Sequence, residues 1–458
     1  MNEPPSPRDA RRLIRGVERR FGVRAAGSTS GREIVGGLTT FLTMSYIAIV
    51  NPVFLSAAGI PADGAILATL LASAVATILM GVVANVPVAL APGMGLNAFF
   101  AYTICVNHQV PWRVGLGLLA WVAIVFVALT VGRVRTLITR AVPRTLRYAA
   151  AVGIGLFITT IGLQHAGVVA PDPATLVSFG DVTKPHALLA LGGLAVTLVL
   201  AARHVRTAIF TGMLVTAVSG VLLGILRFEG PWLRWPAWTP PGLEMDLLGA
   251  LRADLIPFGV ALLFFSIFDA MGTLYAVGEE AGLLDERGDF PRLGRALTVD
   301  AASGLLGAGL GTSTVTCYIE SATGVSVGAR TGLANLVTGG CFLASLFFIP
   351  LVAAVGAPVV SGGRTYFPVT APALIVVGVL MARTVTKIEW GEISEAVPAF
   401  LTMIVMPATF SISHGLAAGF VTYAGMKLVA GKRREVHWLV YVIAALLAGR
   451  YLIIPLGR

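Results

Sequence analysis

Residues 311–330 read GTSTVTCYIESATGVSVGAR. Apolar runs on both sides put this stretch at membrane depth, yet it is too short, too rich in Gly, Ser and Thr, and too β-branched at its start for an ordinary spanning helix. Irregular backbone survives there only when packed in protein or lining a wet cavity, because hydrocarbon offers N–H and C=O groups no partner. The stretch therefore reads as an extended segment over 311–319 followed by a half-helix over 320–328. Glu320 then falls at the break, beside a helix N-terminus whose dipole favours negative charge. A carboxylate at the bilayer centre costs roughly 3 kcal/mol on insertion scales, so a functional role is its default reading. The competing reading is an apolar cytoplasmic loop, or a helix-end glutamate reaching the headgroups.

Composition sets the class. The 458-residue chain is 56% hydrophobic and 12% charged, with mean hydropathy +0.85. That is more apolar surface than a soluble core hides, and it reads as an all-α polytopic membrane protein. At about 20 residues per span there is room for about fourteen transmembrane segments and a terminal apolar piece. The formal charge of +10 does not point to nucleic acid, because the basic residues gather at span ends and in alternate loops. Cys105, Cys317 and Cys341 lie in apolar spans at no ligand spacing, and the six histidines fall near span ends or in loops. No disulfide framework, metal or cofactor is expected. The polar, arginine-rich start does not read as a secretory signal.

A second interrupted stretch lies in the first half. Residues 86–104, VPVALAPGMGLNAFFAYTI, start β-prone, break at 91–93 and open a helix near Asn97. It is the third element of its half, as the Glu320 stretch is of the other, and each half begins with a long polar-studded span, 33–55 (interrupted by Asn51-Pro52) and 256–278. Seven spans per half is an odd number, so the second half enters the membrane upside down, as an inverted repeat with its site at the midplane. The extended pieces 86–90 and 314–319 are expected to pair, since lone strands in lipid are not viable. With the N-terminus cytoplasmic, the basic turns all fall on one side: Arg133 through Arg147, Arg203 with Arg206, Arg330, Arg383 with Lys387, and Lys432 through Arg434. Residues 1–32 form a cytoplasmic segment with an amphipathic basic helix at 11–23, 229–255 an extracellular loop, and 431–458 a basic turn followed by an apolar helix.

Asp269 is a second intramembrane acid, with Ser266 and Thr273 on the same helical face. Asp269, Glu320 and Asn97 together offer acceptors and donors suited to a flat heterocycle with ring N–H groups, carbonyls or an amine. A desolvated carboxyl can exchange a proton near neutral pH while its neighbour stays ionised, which describes a proton-coupled carrier. Asp269 has the alternative of a structural hydrogen bond to a neighbouring span, and Asn97 that of capping its own half-helix. Among the aromatic neighbours, most of which are packing, Phe268 and Tyr318 are best placed to stack on a planar ligand. An anion carrier of the sulfate or bicarbonate type would use the half-helix dipoles directly, but two carboxylates repel an anion. An intramembrane aspartyl hydrolase needs two acids sharing a proton in a hydrolase setting that is missing here, so no enzyme is expected.

Four runs in order, EIVGGLTTFLTMSYIAIVNP (33–52), APGMGLNAFFAY (91–102), FDAMGTL (268–274) and GTSTVTCYIESATGVSVGARTGL (311–333), resemble the AzgA-like purine permeases of the nucleobase/ascorbate transporter superfamily. The resemblance implies fourteen helices in two inverted seven-helix repeats, 33–228 and 256–430. It implies a core domain (33–132 and 256–356) working against a gate domain (145–228 and 365–430), with short strands in helices 3 and 10. It further implies proton symport of adenine, guanine or hypoxanthine across the cytoplasmic membrane by a homodimer, a xanthine or uracil permease being the near alternative. By position Glu320, Asp269 and Asn97 are similar to that family's binding residues in helices 10, 8 and 3. Thr273 stands where related uracil permeases have histidine, so coupling rests on carboxylates. Ser266 stands where many AzgA-like members have a further aspartate, which leaves the substrate range open.

Overall fold

The computed structural model describes residues 16, 18–132, 143–227, 231–286 and 289–453. Residues 11–15 and 17 of the basic helix expected at 11–23, and Arg133, Arg135 and Arg140, lie outside them. Seven helices among the described residues are long and apolar enough to cross a bilayer: Ser30–Ala57, Ala62–Ala84, Trp112–Val131, Arg144–Ala166, Pro185–Ala202, Ala253–Glu280 and Leu333–Val355.

In chain order the first half comprises α1 (Ser30–Met44), α2 (Ile47–Ala57), α3 (Ala62–Leu79), β1 (Leu90–Pro92), α4 (Met94–Ala98), α5 (Trp112–Val131), α6 (Arg144–Ala166), β2 (Val169–Asp172), β3 (Leu176–Phe179), α7 (Pro185–Ala202) and α8 (Ala208–Leu222). The second half comprises α9 (Ile256–Glu280), α10 (Leu293–Leu310), β4 (Val315–Cys317), α11 (Ser321–Ser326), α12 (Leu333–Ser345), α13 (Ile349–Val355), β5 (Val359–Ser361), β6 (Arg364–Tyr366), α14 (Ala371–Ala382), α15 (Ile393–Ala408) and α16 (Ile412–Val429). A last apolar helix, α17 (Trp438–Ile453), packs on α16.

The first span does not break where Asn51-Pro52 suggests. It breaks at Ser45-Tyr46, and Pro52 lies inside α2. A proline ring removes an N–H and clashes with the carbonyl four residues back, so the disturbance falls on its N-terminal side. The second interruption also shifts: α4 opens at Met94 rather than near Asn97, because Pro92 ends β1 and extended Gly93 (φ −69°, ψ 126°) turns the chain. Its continuation, Phe99–Asn107, is π-helical.

β1 and β4 pair antiparallel, Leu90 opposite Cys317 and Pro92 opposite Val315. The ladder is shorter than the expected 86–90 with 314–319 and displaced along the first strand, taking in Leu90–Pro92 and Val315–Cys317 and leaving Pro87, which has no N–H to give, outside it. Asn335 Nδ2 serves the irregular entry instead, donating to Val86 O and Val88 O at 3.1 and 2.7 Å. A two-stranded sheet has two open edges, and both are closed by side chains. On β1, Leu90 N–H donates to Thr77 Oγ1 and Leu90 O accepts from it, each at 2.9 Å. On β4, Cys317 N–H donates to Asp300 Oδ1 at 2.9 Å. With these bonds the strand pair meets the demand that buried backbone be satisfied.

The densest helix packing falls into two sets. In one, α12 lies along α1 and α3, and α10 along α5; in the other, α14 and α15 lie along α6, α15 along α16, and α7 along α8. Within the second set the Lys427 ammonium, with a side chain 3% exposed, sits 2.7 Å from Glu395, and Lys432 sits 2.5 Å from Glu392. A lysine so enclosed is tolerable only because it is paired, and the cluster ties the start of α15 to the end of α16.

Candidate functional site

The strand pair brings two half-helices together from opposite halves of the chain. Glu320 occupies the N-cap position of α11, directly after β4, so its carboxylate is delivered to the sheet by the strand and fixed by the helix that follows. Its Oε1 accepts from the Tyr46 hydroxyl at 2.7 Å, and its carbonyl accepts from Thr323 Oγ1 at 2.6 Å. Asp269 comes to the same place from the middle of α9, which packs on both β4 and α11. A Cβ on Gly93 would lie 3.8 Å from Asp269 Oδ2 and only 2.7 Å from Thr316 Cγ2. Glycine there lets the turn after β1 approach the acid.

The seven residues expected at the site separate into two groups. Asp269 is exposed, and Glu320 and Phe268 are half-buried, so two carboxylates and an aromatic ring remain accessible amid buried backbone. The Phe268 ring lies near-parallel to Phe264, with centroids 6.2 Å apart, and the Arg147 guanidinium of α6 sits 5.3 Å above it. Asn97, Ser266, Tyr318 and Thr273 are 0, 1, 5 and 8% exposed. The Ser266 hydroxyl donates to Leu262 O one turn back at 2.8 Å. Tyr318 Oη donates to Pro92 O at 2.5 Å. Asn97 Nδ2 donates to the same carbonyl at 3.3 Å, and its Oδ1 accepts from the Ser313 hydroxyl. In this geometry Asn97 and Tyr318 clasp the turn between β1 and α4; Asn97 does not cap its own half-helix, whose N-cap is Gly93 without a side-chain bond.

Asp300 and Tyr46 are the residues that sequence reasoning passed over. Asp300 is an acid inside an apolar span and 2% exposed, so the rule that singled out Asp269 applies to it equally. The charged loop just before α10 masks the signal. Replacing Asp300 with Ala leaves the Cys317 N–H without an acceptor, at a cost of about 1–3 kcal/mol, whereas Asn retains an acceptor oxygen. Thermal unfolding in detergent is expected to show Asp300→Ala clearly below wild type and Asp300→Asn between them. Equal stability of all three proteins would contradict an edge-closing role.

Comparison with known proteins gives the following. The Permease family model (Xan_ur_permease) matches residues 31–418. The adenine permease AdeP of Escherichia coli (strain K12) is 41% identical over 430 residues, 94% of this chain and 94% of that protein. The guanine/hypoxanthine permease PbuG of Bacillus subtilis (strain 168) is 41% identical over 427 residues, 91% of this chain and 94% of that protein. Among solved structures, the transmembrane domain of the cyanobacterial bicarbonate transporter BicA superposes with a TM-score of 0.61 at 14% identity, covering 85% of this chain and 97% of that one. At that identity the likeness is one of fold.

Proposed function

The chain belongs to the Permease family (Xan_ur_permease) of the nucleobase/ascorbate transporter superfamily, and from this we propose that it imports purine nucleobases (adenine, guanine or hypoxanthine) together with protons across the cytoplasmic membrane. The observation that carries the reading is that Asp269 and Glu320 both flank the strand pair, Asp269 beside Gly93 and Glu320 at the helix start that follows β4, each more accessible than the buried strands. A neutral purine presents N–H donors on one edge, and fixed carboxylate oxygens accept them with charge-assisted strength. Phe268 adds a face for stacking. Adenine and guanine/hypoxanthine permeases at about 40% identity over most of the chain support the substrate class.

In this reading fourteen segments form two inverted seven-helix repeats. Core helices (33–132 and 256–356) carry the site past gate helices (145–228 and 365–430) in an elevator-like motion, within a homodimer whose N-termini face the cytoplasm. The division of the closest helix packing into two sets supports that motion. The likeness to a bicarbonate transporter keeps anion transport as the second reading, which the accessible acids disfavour because they repel an anion.

The test is uptake of radiolabelled hypoxanthine in a bacterial host lacking its own purine uptake, competed with adenine, guanine, xanthine, uracil and sulfate. Purines are expected to compete, with uracil and sulfate inert; a protonophore is expected to stop accumulation, and sodium removal to leave it unchanged. Sulfate transport without purine uptake would replace this reading with the second one.

A further inference from the structure

We propose that Tyr46 is a positioning residue that fixes the rotation of the Glu320 carboxylate and thereby sets which purine edge the site prefers; the selectivity part rests on the transport reading above. Tyr46 stands at the break between α1 and α2, and its ring is 1% exposed. A phenol so enclosed has one available direction for its hydroxyl, and that direction ends on Glu320 Oε1 at 2.7 Å. The Glu320 side chain does not cap its own helix, so among the described residues the Tyr46 hydroxyl is the side-chain donor that orients it.

A second contact on the same helix face holds the geometry. Thr43, one turn before Tyr46, places Oγ1 3.0 Å from Thr323 Oγ1, and Thr323 in turn bonds the Glu320 carbonyl. Below them α1 and α11 approach closely at two glycines: a Cβ on Gly36 would meet Ala329 Cβ at 2.6 Å and Gly324 O at 3.0 Å. Tyr46 and Glu320 are thus parts of one stiff unit, although 274 positions apart in sequence.

The chemical consequence lies in the lone pairs. A carboxylate has about four acceptor sites, and a donor clamped on Oε1 leaves Oε2 aimed in one direction. Guanine and hypoxanthine carry a ring N1–H beside a carbonyl, whereas adenine carries an amine beside a bare ring nitrogen. A carboxylate held at one rotation meets one of these patterns squarely and the other poorly, while a freely turning carboxylate accepts both with less discrimination.

The experiment compares wild type with Tyr46→Phe, which keeps the ring and removes the hydroxyl. Initial rates of adenine, guanine and hypoxanthine uptake give KM and maximal velocity for each. The expected result is a KM for the preferred purine raised about tenfold with little change in maximal velocity, and a compressed ratio of KM values between purines. Thr43→Val, which loosens the neighbouring contact but keeps the Tyr46 hydroxyl on the carboxylate, is expected to compress the ratio less than Tyr46→Phe does, and an equal compression would overturn the role of the hydroxyl. Should Tyr46→Phe not fold, 3,5-difluorotyrosine incorporated at position 46 keeps the shape and alters the donor, and its KM ratio takes the place of the phenylalanine reading. The infrared carboxylate band of Glu320, assigned by its loss in Glu320→Gln, reads the contact without any substrate and should move when the hydroxyl is removed or fluorinated. Unchanged KM ratios overturn the selectivity role, and an unmoved band overturns the positioning role. A wild-type chain that takes up no purine sinks the transport reading and the selectivity role with it, while the infrared band still decides the positioning role.

Discussion

Glu320→Gln is expected to abolish purine accumulation while leaving the protein folded and in the membrane. The amide keeps the volume of the side chain and can still accept from Tyr46 through its oxygen, so the strand pair has no reason to come apart. What disappears is the charge. A hydrogen bond to a charged group is worth about 1.5–3 kcal/mol, roughly 10- to 150-fold in affinity for each purine N–H that meets it. The amide nitrogen also presents donors toward ligand donors, which turns an attraction into a clash. Binding of radiolabelled hypoxanthine to purified protein, measured beside its melting temperature, checks both halves. Normal uptake by the mutant would remove Glu320 from the site.

Asp269→Asn separates binding from coupling. Asp269 is the more exposed of the two acids and comes from a different helix than Glu320. If it carries the proton, its amide equivalent cannot load or release one, and uphill transport ends. Movement of purine down its own gradient is a different matter, because the Glu320 acceptors remain in place. The expected pattern is loss of accumulation, insensitivity to a protonophore, and retained exchange of internal for external purine in preloaded vesicles. A mutant that still concentrates purine against a gradient assigns the proton to another group.

Glu320 and Asp269 stand out in the sequence as candidates because a carboxylate in an apolar run has few inexpensive explanations. The interruptions at 91–93 and 311–320 were legible because Pro, Gly and β-branched residues argue against helix in a stretch that must lie in the membrane. Direction was not legible. Asn97 and Tyr318 stand where the sequence puts them, yet both turn onto the Pro92 carbonyl, since a buried carbonyl at a turn claims nearby donors before any ligand can. Thr77 and Tyr46 left no trace, because their partners lie 13 and 274 positions away and a hydroxyl in a helix looks the same whether it closes a strand edge or rests on its own backbone. Pro52 misled by marking a break that the chain makes upstream of it.

The pairing of Leu90–Pro92 with Val315–Cys317 also bears on how the chain is made. The earlier strand is synthesised long before its mate, so the growing polypeptide must hold a half-finished ladder in the bilayer with one flank shielded by Thr77 and the other waiting. Productive insertion of the N-terminal half is thereby tied to arrival of the C-terminal half. A chain truncated between them has β1 without its backbone partner, an edge that hydrocarbon cannot satisfy.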